Sequence, residues 1–463
     1  MVRTRIAPTP SGNLHLGTAH TALFNYLFAR HNKGKFILRI DDTDKTRYKK
    51  EFEEDIIRSL KWLGFEWDEG PDIGGPYGPY RQSERMDHYW PYAEKLLKEG
   101  KAYYCYCSSE ELQKEKEQLE KEHKPIKYSG KCRNLSQKQI DEYKKQDRQP
   151  AVRLVVPEKK VSFIDPTRGE ISVNSADFGD FIIVRGDKSA LLMLASTVDD
   201  IEMKITHTIR GEDYLNFVPR QIMLFEALGV KPPVFAHLPF VYGQDGSKLS
   251  KRHGAVSVTE YREMGYLPEA VFNYLILLGW SSKDNREIID KEEIVKLFAL
   301  EAVNTNPHRF NITKFEWING EYIRKLTISN LQLLISNFYE NKLQEDIVKQ
   351  TIPLVQERIK KISDYLPLCE FLFKEPDEYE FDLNSKKELF KKIEKKLQEI
   401  EEWKGTIIGE AMQNLAQQLG IKNSEFFMIL RVAISGKKIT QPLNESMELL
   451  GKEECLKRIN KLI

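Results

Sequence analysis

The chain reads Arg5-Ile6-Ala7-Pro8-Thr9-Pro10-Ser11-Gly12-Asn13-Leu14-His15-Leu16-Gly17 near its start. Residue alternation predicts a strand over 2–7, apolar spacing predicts a helix over 18–30, and a second strand is predicted over 35–40. This order predicts a parallel sheet whose ligand lies at the carboxyl ends of its strands. Arg5 therefore points into a site or into water, and Asp41 follows the second strand.

A second stretch, Asp245-Gly246-Ser247-Lys248-Leu249-Ser250-Lys251-Arg252, lies far downstream. A Gly-containing turn at a helix start favours a phosphate, because free backbone N–H groups and the helix dipole point at it. His15 and Gly17 occupy such a turn, and two lysines on a flexible loop can bring positive charge to a leaving pyrophosphate. Either stretch alone also fits a plain capping turn or a solvated basic loop, but together they indicate ATP chemistry.

The composition is that of a folded globular protein. Its 463 residues are 41% hydrophobic and 30% charged, which is typical of a chain with roughly two to four domains. No apolar run is long enough to cross a membrane and no apolar signal region is predicted, so the cytoplasm is the expected location. The net charge is only +1, so nucleic acid would have to be bound through local basic patches. Five cysteines, an odd number, argue against a disulfide framework.

These motifs resemble those of the class I aminoacyl-tRNA synthetases and, more narrowly, of the bacterial glutamate–tRNA ligases. The resemblance is densest in five places: 5–17, 36–44, 80–85, 198–221 and 235–254. It implies an α/β fold in which a Rossmann-like parallel sheet forms the catalytic domain, with an inserted acceptor-binding domain and an all-α C-terminal anticodon-binding region. The implied boundaries are 1–83 and 191–252 for the catalytic halves, 84–190 for the insertion, 253–325 for a stem-contact domain and 326–463 for the anticodon-binding region.

The resemblance also implies a two-step attachment of L-glutamate to tRNA. Glutamate would attack the α-phosphorus of ATP, bound with Mg²⁺, to give glutamyl-adenylate and pyrophosphate, and the terminal ribose hydroxyl of the tRNA would then take the glutamyl group. The catalytic residues it implies are His15, Lys248 and Lys251. The ATP-binding residues it implies are His15, Gly17, Asp213, Val241, Lys248 and Lys251.

For glutamate, the resemblance implies a site made of Arg5, Ala7, Thr9, Asp41, Leu192, Ser196 and Arg210. A guanidinium grips a carboxylate with two parallel hydrogen bonds, which suits Arg5 and Arg210 to the glutamate side chain and leaves Asp41 for the amino group. Asp41 stands where the family commonly has Glu, and Leu192 where it usually has Tyr. Leu192 cannot hydrogen-bond a carboxylate, so either another group replaces that contact or selectivity for glutamate is looser. Arg5 and Asp41 also fit roles outside a binding site, Arg5 as a solubilising charge on an edge strand and Asp41 as a helix N-cap.

Three cysteines, Cys105, Cys107 and Cys132, resemble the zinc site found in the insertion domain of some family members. Zinc takes four ligands, and Asn134 stands where the family often has a histidine. Tyr128, used in some relatives, is the predicted fourth ligand. Three thiols that bind no metal are the alternative.

Other functions fit parts of this pattern. A non-discriminating or second-copy ligase would charge the glutamine tRNA with glutamate, and a glutaminyl enzyme would use glutamine. Small nucleotidyltransferases share the phosphate chemistry but lack the long insertion and the helical tail. A non-catalytic tRNA-binding paralogue is disfavoured by the retention of His15, Lys248 and Lys251. The main interpretation is a monomeric glutamate–tRNA ligase that binds tRNA and glutamate and no membrane.

Overall fold

The computed structural model describes residues 1–43, 46–247, 249 and 257–463. Residues 1–260 and 272–311 form one unit, and residues 261–271 and 312–463 form a second unit. Among the helices of the described ranges, none is both long and apolar enough to span a membrane. The first unit contains the predicted parallel strands.

The sheet of the first unit begins with the predicted strand, helix and parallel strand. β1 (Arg3–Ile6) pairs in parallel with β2 (Lys35–Leu38), and α1 (Leu16–His31) connects them. The return from α1 is tight at Gly34, where a Cβ would lie 2.3 Å from the carbonyl oxygen of Val2. All of β1 is buried, so its arginines point into the protein and not into water.

An antiparallel sheet and a hairpin interrupt the parallel sheet. The elements from residue 50 to residue 184 are α2 (Lys50–Trp62), α3 (Met86–Lys98), β3 (Ala102–Cys105), α4 (Ser109–Lys121), α5 (Gln137–Lys145), β4 (Ala151–Leu154), β5 (Lys160–Asp165), β6 (Gly169–Asn174) and β7 (Phe181–Val184). β4 lies between β3 and β7 and is antiparallel to both, and β5 pairs with β6 as a hairpin. The elements from α3 to β7 lie within the part of the chain predicted as an insertion, and the boundaries 84–190 stay a prediction.

The parallel sheet then resumes. The next elements are α6 (Leu192–Glu202), β8 (His207–Gly211), α7 (Val218–Ala227), β9 (Val234–Leu238) and β10 (Val241–Tyr242). The N–H of Thr206 donates to the carbonyl oxygen of Arg3 at 3.0 Å, so β8 enters beside β1, and β9 runs parallel to β8. Pro239 has no N–H for a strand ladder and separates β9 from β10.

After residue 256 come α8 (Val258–Glu263), α9 (Pro268–Leu277), α10 (Lys291–Leu297) and β11 (His308–Arg309). β11 pairs in parallel with β10. A buried apolar cluster packs α3, α6 and α7 against β9 and the inserted strands, with Val198, Leu224 and Phe235 among its members. This cluster fixes α6, whose first turn and buried face supply the site described below.

The second unit is helical, as the family resemblance implies for the C-terminal region. Its helices from residue 312 onward are α11 (Ile312–Lys325), α12 (Ile328–Phe338), α13 (Glu345–Val355), α14 (Tyr365–Cys369), α15 (Lys387–Gln398), α16 (Gly405–Gln418), α17 (Asn423–Ser435), α18 (Leu443–Leu450) and α19 (Lys452–Asn460). α15 to α19 enclose one core that includes Phe390, Met412, Phe426 and Met447.

Candidate active site

A cavity of about 720 Å³ lies at the carboxyl ends of β1, β2, β8 and β9. This volume is in the range of small-molecule sites, and the position is the one expected for a parallel sheet. The predicted ATP and glutamate residues that the structure describes all line it: Arg5, Ala7, Thr9, His15, Gly17, Asp41, Leu192, Ser196, Arg210, Asp213 and Val241. The other two, Lys248 and Lys251, lie outside the described residues. The structure brings the eleven together, and their individual roles stay predictions.

His15 is the N-cap of α1. Its Nδ1 accepts a hydrogen bond from the N–H of Gly17 at 3.0 Å. A neutral imidazole that accepts at Nδ1 carries its proton on Nε2, so the ring can donate from that nitrogen. The positive end of the helix dipole lies at the same point of the cavity. The start of α1 is therefore suited to an anion such as a phosphate.

A buried network of opposite charges lies beside the cavity. Arg5 donates from Nε and Nη2 to the two carboxylate oxygens of Asp200, at 3.1 and 3.2 Å. Arg39 donates from Nη1 to Asp200 at 2.9 Å, and from Nε and Nη2 to Asp41 at 2.7 and 3.2 Å. Arg39 therefore bridges two carboxylates by hydrogen bonds. One belongs to Asp41, which lines the cavity, and the other to Asp200, which does not line it.

Burial and charge compete in this network. Burial alone would raise the pKa of the Asp200 carboxyl, but the guanidinium groups of Arg5 and Arg39 outweigh it and hold that pKa below its ordinary value. Burial raises the pKa of Asp41, and Arg39 offsets this only in part. Asp41 is thus a buried carboxyl group that Arg39 holds through two hydrogen bonds at the wall of the cavity.

Arg210, in β8, differs from Arg5, Arg39 and Arg85, which are each paired with a buried aspartate. Its side chain is 8% exposed, and its Nη2 has no hydrogen-bond partner among the described residues. Burial, followed by the repulsion of Arg5, lowers the pKa of its guanidinium below the ordinary value. The guanidinium packs against the rings of Tyr214 and Phe235, with its Cζ 5.2 and 5.3 Å from the ring centres. Arg210 is therefore a desolvated cation at the cavity wall, and among the described residues it forms no ion pair with a carboxylate.

Leu192 and Ser196 lie on the first turns of α6. Leu192 is 46% exposed and lines the cavity, where it offers only apolar contact. Ser196 is buried, and its Oγ accepts a hydrogen bond from Gln221 Nε2 at 3.2 Å. The hydroxyl that the family pattern usually places at residue 192 is therefore missing from this wall, and Ser196 carries the polar group one turn further on.

Sequence reasoning missed several residues that hold this site in place. Asp199 and Asp200 are fully buried, and Asp199 accepts hydrogen bonds from Arg85 Nε at 2.6 Å and Gln82 Nε2 at 2.8 Å. Two adjacent aspartates inside the apolar run of α6 were the available signal, because charged residues are buried only when they are paired. Their arginine partners could not be identified, since they lie more than a hundred residues away.

The predicted metal ligands also converge. The sulfur atoms of Cys105, Cys107 and Cys132 all lie within 4.8 Å of one another. The Tyr128 hydroxyl lies 3.2 Å from Cys107 Sγ and 3.6 Å from Cys105 Sγ, and Cys132 donates its N–H to that hydroxyl at 3.0 Å. Three thiols and a phenol that share one point are a donor set that fits a tetrahedral zinc ion.

Comparison with known families defines the class of protein. The family described as class I tRNA synthetases (E and Q), catalytic domain, matches residues 1–317, and the anticodon binding domain family matches residues 323–463. The chain is thus a class I tRNA synthetase, a class of enzymes that uses ATP and Mg²⁺. The predicted fold class, a Rossmann-like catalytic domain followed by a helical anticodon domain, is confirmed.

Individual relatives narrow the assignment. The chain is 44% identical to glutamate–tRNA ligase 2 of Thermoanaerobacter pseudethanolicus and 43% identical to the glutamate–tRNA ligase of a Sulfurihydrogenibium species, with 100% of this chain and 98% and 99% of the relatives covered. A solved glutamate tRNA ligase from Elizabethkingia meningosepticum, in complex with its amino acid, superposes with a TM-score of 0.88 at 34% identity, covering 100% of this chain and 99% of that one. The chain belongs to the glutamate–tRNA ligase family, whose members attach glutamate to tRNA.

Proposed function

We propose that the cavity activates L-glutamate with ATP and that the glutamyl group then passes to tRNA. The observation that carries this proposal is Arg210, a buried cation whose Nη2 has no partner among the described residues. An anionic side chain would restore the interactions that this guanidinium loses on burial, and a neutral one would not. Glutamate is the amino acid that best meets this requirement in a glutamate–tRNA ligase.

The two ends of glutamate would meet opposite charges. Arg210 would bind the side-chain carboxylate, with Arg5 beside it on the neighbouring strand. Asp41 would receive the amino group, since Arg39 already fixes the orientation of its carboxylate through two hydrogen bonds. Ser196 and Leu192 would complete the wall of the amino-acid pocket, together with Ala7 and Thr9, which also line the cavity.

ATP would bind with its phosphates at the start of α1. His15 would donate from Nε2 to a phosphate oxygen, and Gly17 would let the nucleotide approach the backbone. Asp213 and Val241, which line the cavity, would contact the nucleotide. Lys248 and Lys251 would stabilise the departing pyrophosphate together with Mg²⁺.

The chemistry needs no covalent bond to the protein. A carboxylate oxygen of the α-carboxyl group attacks the α-phosphorus of ATP, the bond to the bridging oxygen breaks, and pyrophosphate leaves. The terminal ribose hydroxyl of the tRNA then attacks the activated carbonyl carbon, loses its proton and releases AMP. The protein acts by holding the reactants in line and by balancing the phosphate charge.

A structural zinc ion is a further part of the proposal. Cys105, Cys107 and Cys132 would hold it, with Tyr128 as the fourth ligand. Zinc would join the end of β3 to the 128–132 loop, where the described contacts are hydrogen bonds between thiols and a phenol. It would stabilise this part of the first unit and take no part in the reaction.

The remaining assignments concern partners. Residues 84–190 would meet the acceptor end of the tRNA, 253–325 its stem and 326–463 its anticodon. The protein would act as a monomer in the cytoplasm. The glutamate tRNA is the proposed acceptor, and a chain that charges the glutamine tRNA is the alternative.

Pyrophosphate exchange with ATP tests the activation step. Exchange that depends on L-glutamate, with or without tRNA, supports the proposal, and an enzyme with no exchange under either condition contradicts it. Aminoacylation of purified glutamate-accepting and glutamine-accepting tRNAs with labelled glutamate then identifies the acceptor. Charging of the glutamine tRNA alone would replace the main assignment with the alternative.

A further inference from the structure

The turn between β5 and β6 contacts His237, which in turn contacts Arg210 at the cavity wall. Asp165 at the end of β5 and His237 in β9 are both 0% exposed in their side chains, and Asp165 Oδ2 lies 2.7 Å from His237 Nδ1. The other carboxylate oxygen accepts hydrogen bonds from the N–H and hydroxyl of Thr167, at 2.8 and 2.7 Å. The carbonyl oxygen of His237 accepts a hydrogen bond from Arg168 Nε at 3.4 Å and lies 2.9 Å from the Thr167 hydroxyl. The turn thus holds His237 by its ring and by its backbone.

This arrangement decides which nitrogen of His237 carries the proton. Burial lowers the pKa of His237, so the ring is neutral near neutral pH. A carboxylate only accepts, so Nδ1 must donate to Asp165, and Nε2 is left as an acceptor. Arg210 donates its Nε–H to that Nε2 at 3.4 Å. The chain of contacts therefore runs from Asp165 through His237 to Arg210.

The contact fixes one edge of the Arg210 guanidinium. The Arg210 Nε is anchored and the guanidinium packs against Tyr214 and Phe235, while Nη2 has no protein partner among the described residues. The same turn also fixes the loops after β8 and β9, because Arg168 donates to Glu212 at 2.6 Å and Glu212 accepts from the N–H of Phe240 at 3.0 Å.

We infer that Asp165 and His237 are positioning residues that hold Arg210 ready for the side-chain carboxylate of the amino acid. This inference rests on the proposed role of Arg210 in binding glutamate. It means that the β5–β6 hairpin contributes to amino-acid affinity, although neither Asp165 nor His237 lines the cavity. The opposite proton arrangement on His237 would turn an N–H toward Arg210 and lose the contact.

The test compares variants of the full-length protein in glutamate-dependent pyrophosphate exchange. His237→Phe keeps the ring volume and removes the acceptor, and we expect it to raise KM for glutamate roughly tenfold, since a hydrogen bond to a charged group is lost. His237→Gln can place an amide oxygen near the position of Nε2, so we expect it to recover most of that loss. KM for ATP should change less than twofold in both. His207→Phe, at the other end of β8, is the matched control and should leave both constants unchanged.

Asp165→Asn supplies a second route if His237→Phe folds poorly. Asn has a single acceptor oxygen for Thr167 and His237, so we expect the same rise in KM for glutamate and a shift of the His237 proton to Nε2. Nitrogen-15 chemical shifts of the His237 imidazole show directly which nitrogen carries the proton. A merely structural role of Asp165 would leave these shifts unchanged.

Arg210→Gln distinguishes a failure of the positioning role from a failure of the proposed glutamate site. If it raises KM for glutamate while His237→Phe, His237→Gln and Asp165→Asn all behave like the parent, the positioning role is overturned and the proposed function stands. Equal losses in His237→Phe and His237→Gln would also overturn it. If Arg210→Gln leaves KM for glutamate unchanged, the proposed glutamate site itself fails.

Discussion

Replacing Asp200 by Asn tests whether the buried charge network holds the first unit together. Asp200 is 0% exposed in its side chain and accepts from Arg5 and Arg39 through three hydrogen bonds of 2.9 to 3.2 Å. Asn keeps the volume, but it removes the charge and turns an N–H₂ group toward a guanidinium. Removal of one partner from a buried pair costs about 3–5 kcal/mol, because the remaining charge stays buried without compensation. The free energy of unfolding should fall by that amount.

Scanning calorimetry of the parent and the variant provides the measurement. For a unit of this size the loss corresponds to a drop in melting temperature on the order of 10 °C. Asp284→Asn is the control, because Asp284 pairs with Arg286 through side chains that are about half exposed, and such surface pairs contribute little. A melting temperature for Asp200→Asn that equals that of the control would refute the claim that this network is structurally required.

Four further outcomes are expected. His20 is buried with its pKa lowered from 6.5 to about 4, chiefly by burial, and its Nε2 lies 2.7 Å from the carbonyl oxygen of Leu278. As the pH falls, the unfolded chain therefore binds a proton at His20 before the folded chain does. The free energy of unfolding should decrease as the pH falls from 6.5 to about 4, by about 3 kcal/mol more in the parent than in His20→Gln. Urea titrations at several pH values measure this difference. Metal analysis should find one zinc per chain in the parent and a clear loss of zinc in Cys132→Ser. Cys369→Ser is the control, because Cys369 is a buried thiol of the second unit. Equal zinc content in the parent and both variants would rule out the cysteine site. Glutamine, which lacks the charge that Arg210 requires, should show a kcat/KM in pyrophosphate exchange on the order of 100-fold below that of glutamate, and comparable values would contradict the role of Arg210. Gly34→Ala should lower the melting temperature of the first unit, because its Cβ would meet the Val2 carbonyl oxygen.

The parts of this structure that follow from local rules could be predicted, and the parts that depend on distant partners could not. β1, α1 and β2 follow from residue alternation and apolar spacing, which act over a few residues. Arg5 could be placed on a strand, but its choice between site and solvent depends on Asp200, which lies 195 residues further on. His237 gave no signal, because its meaning arises only when Asp165 and Arg210 are brought to it by the fold.

The balance of buried charges around the cavity explains why a neutral histidine contacts Arg210. Three buried arginines, Arg5, Arg39 and Arg85, are paired with three buried aspartates, Asp41, Asp199 and Asp200. Within the described part of the first unit, Arg210 stands outside this balance and makes its hydrogen bond to a neutral histidine instead. A carboxylate in place of His237 would neutralise Arg210 and remove its attraction for a substrate anion, whereas an apolar residue would leave the guanidinium unanchored. A neutral acceptor fixes the position of Arg210 and leaves its charge available to the substrate, which is why a histidine oriented by a buried carboxylate is suited to this place.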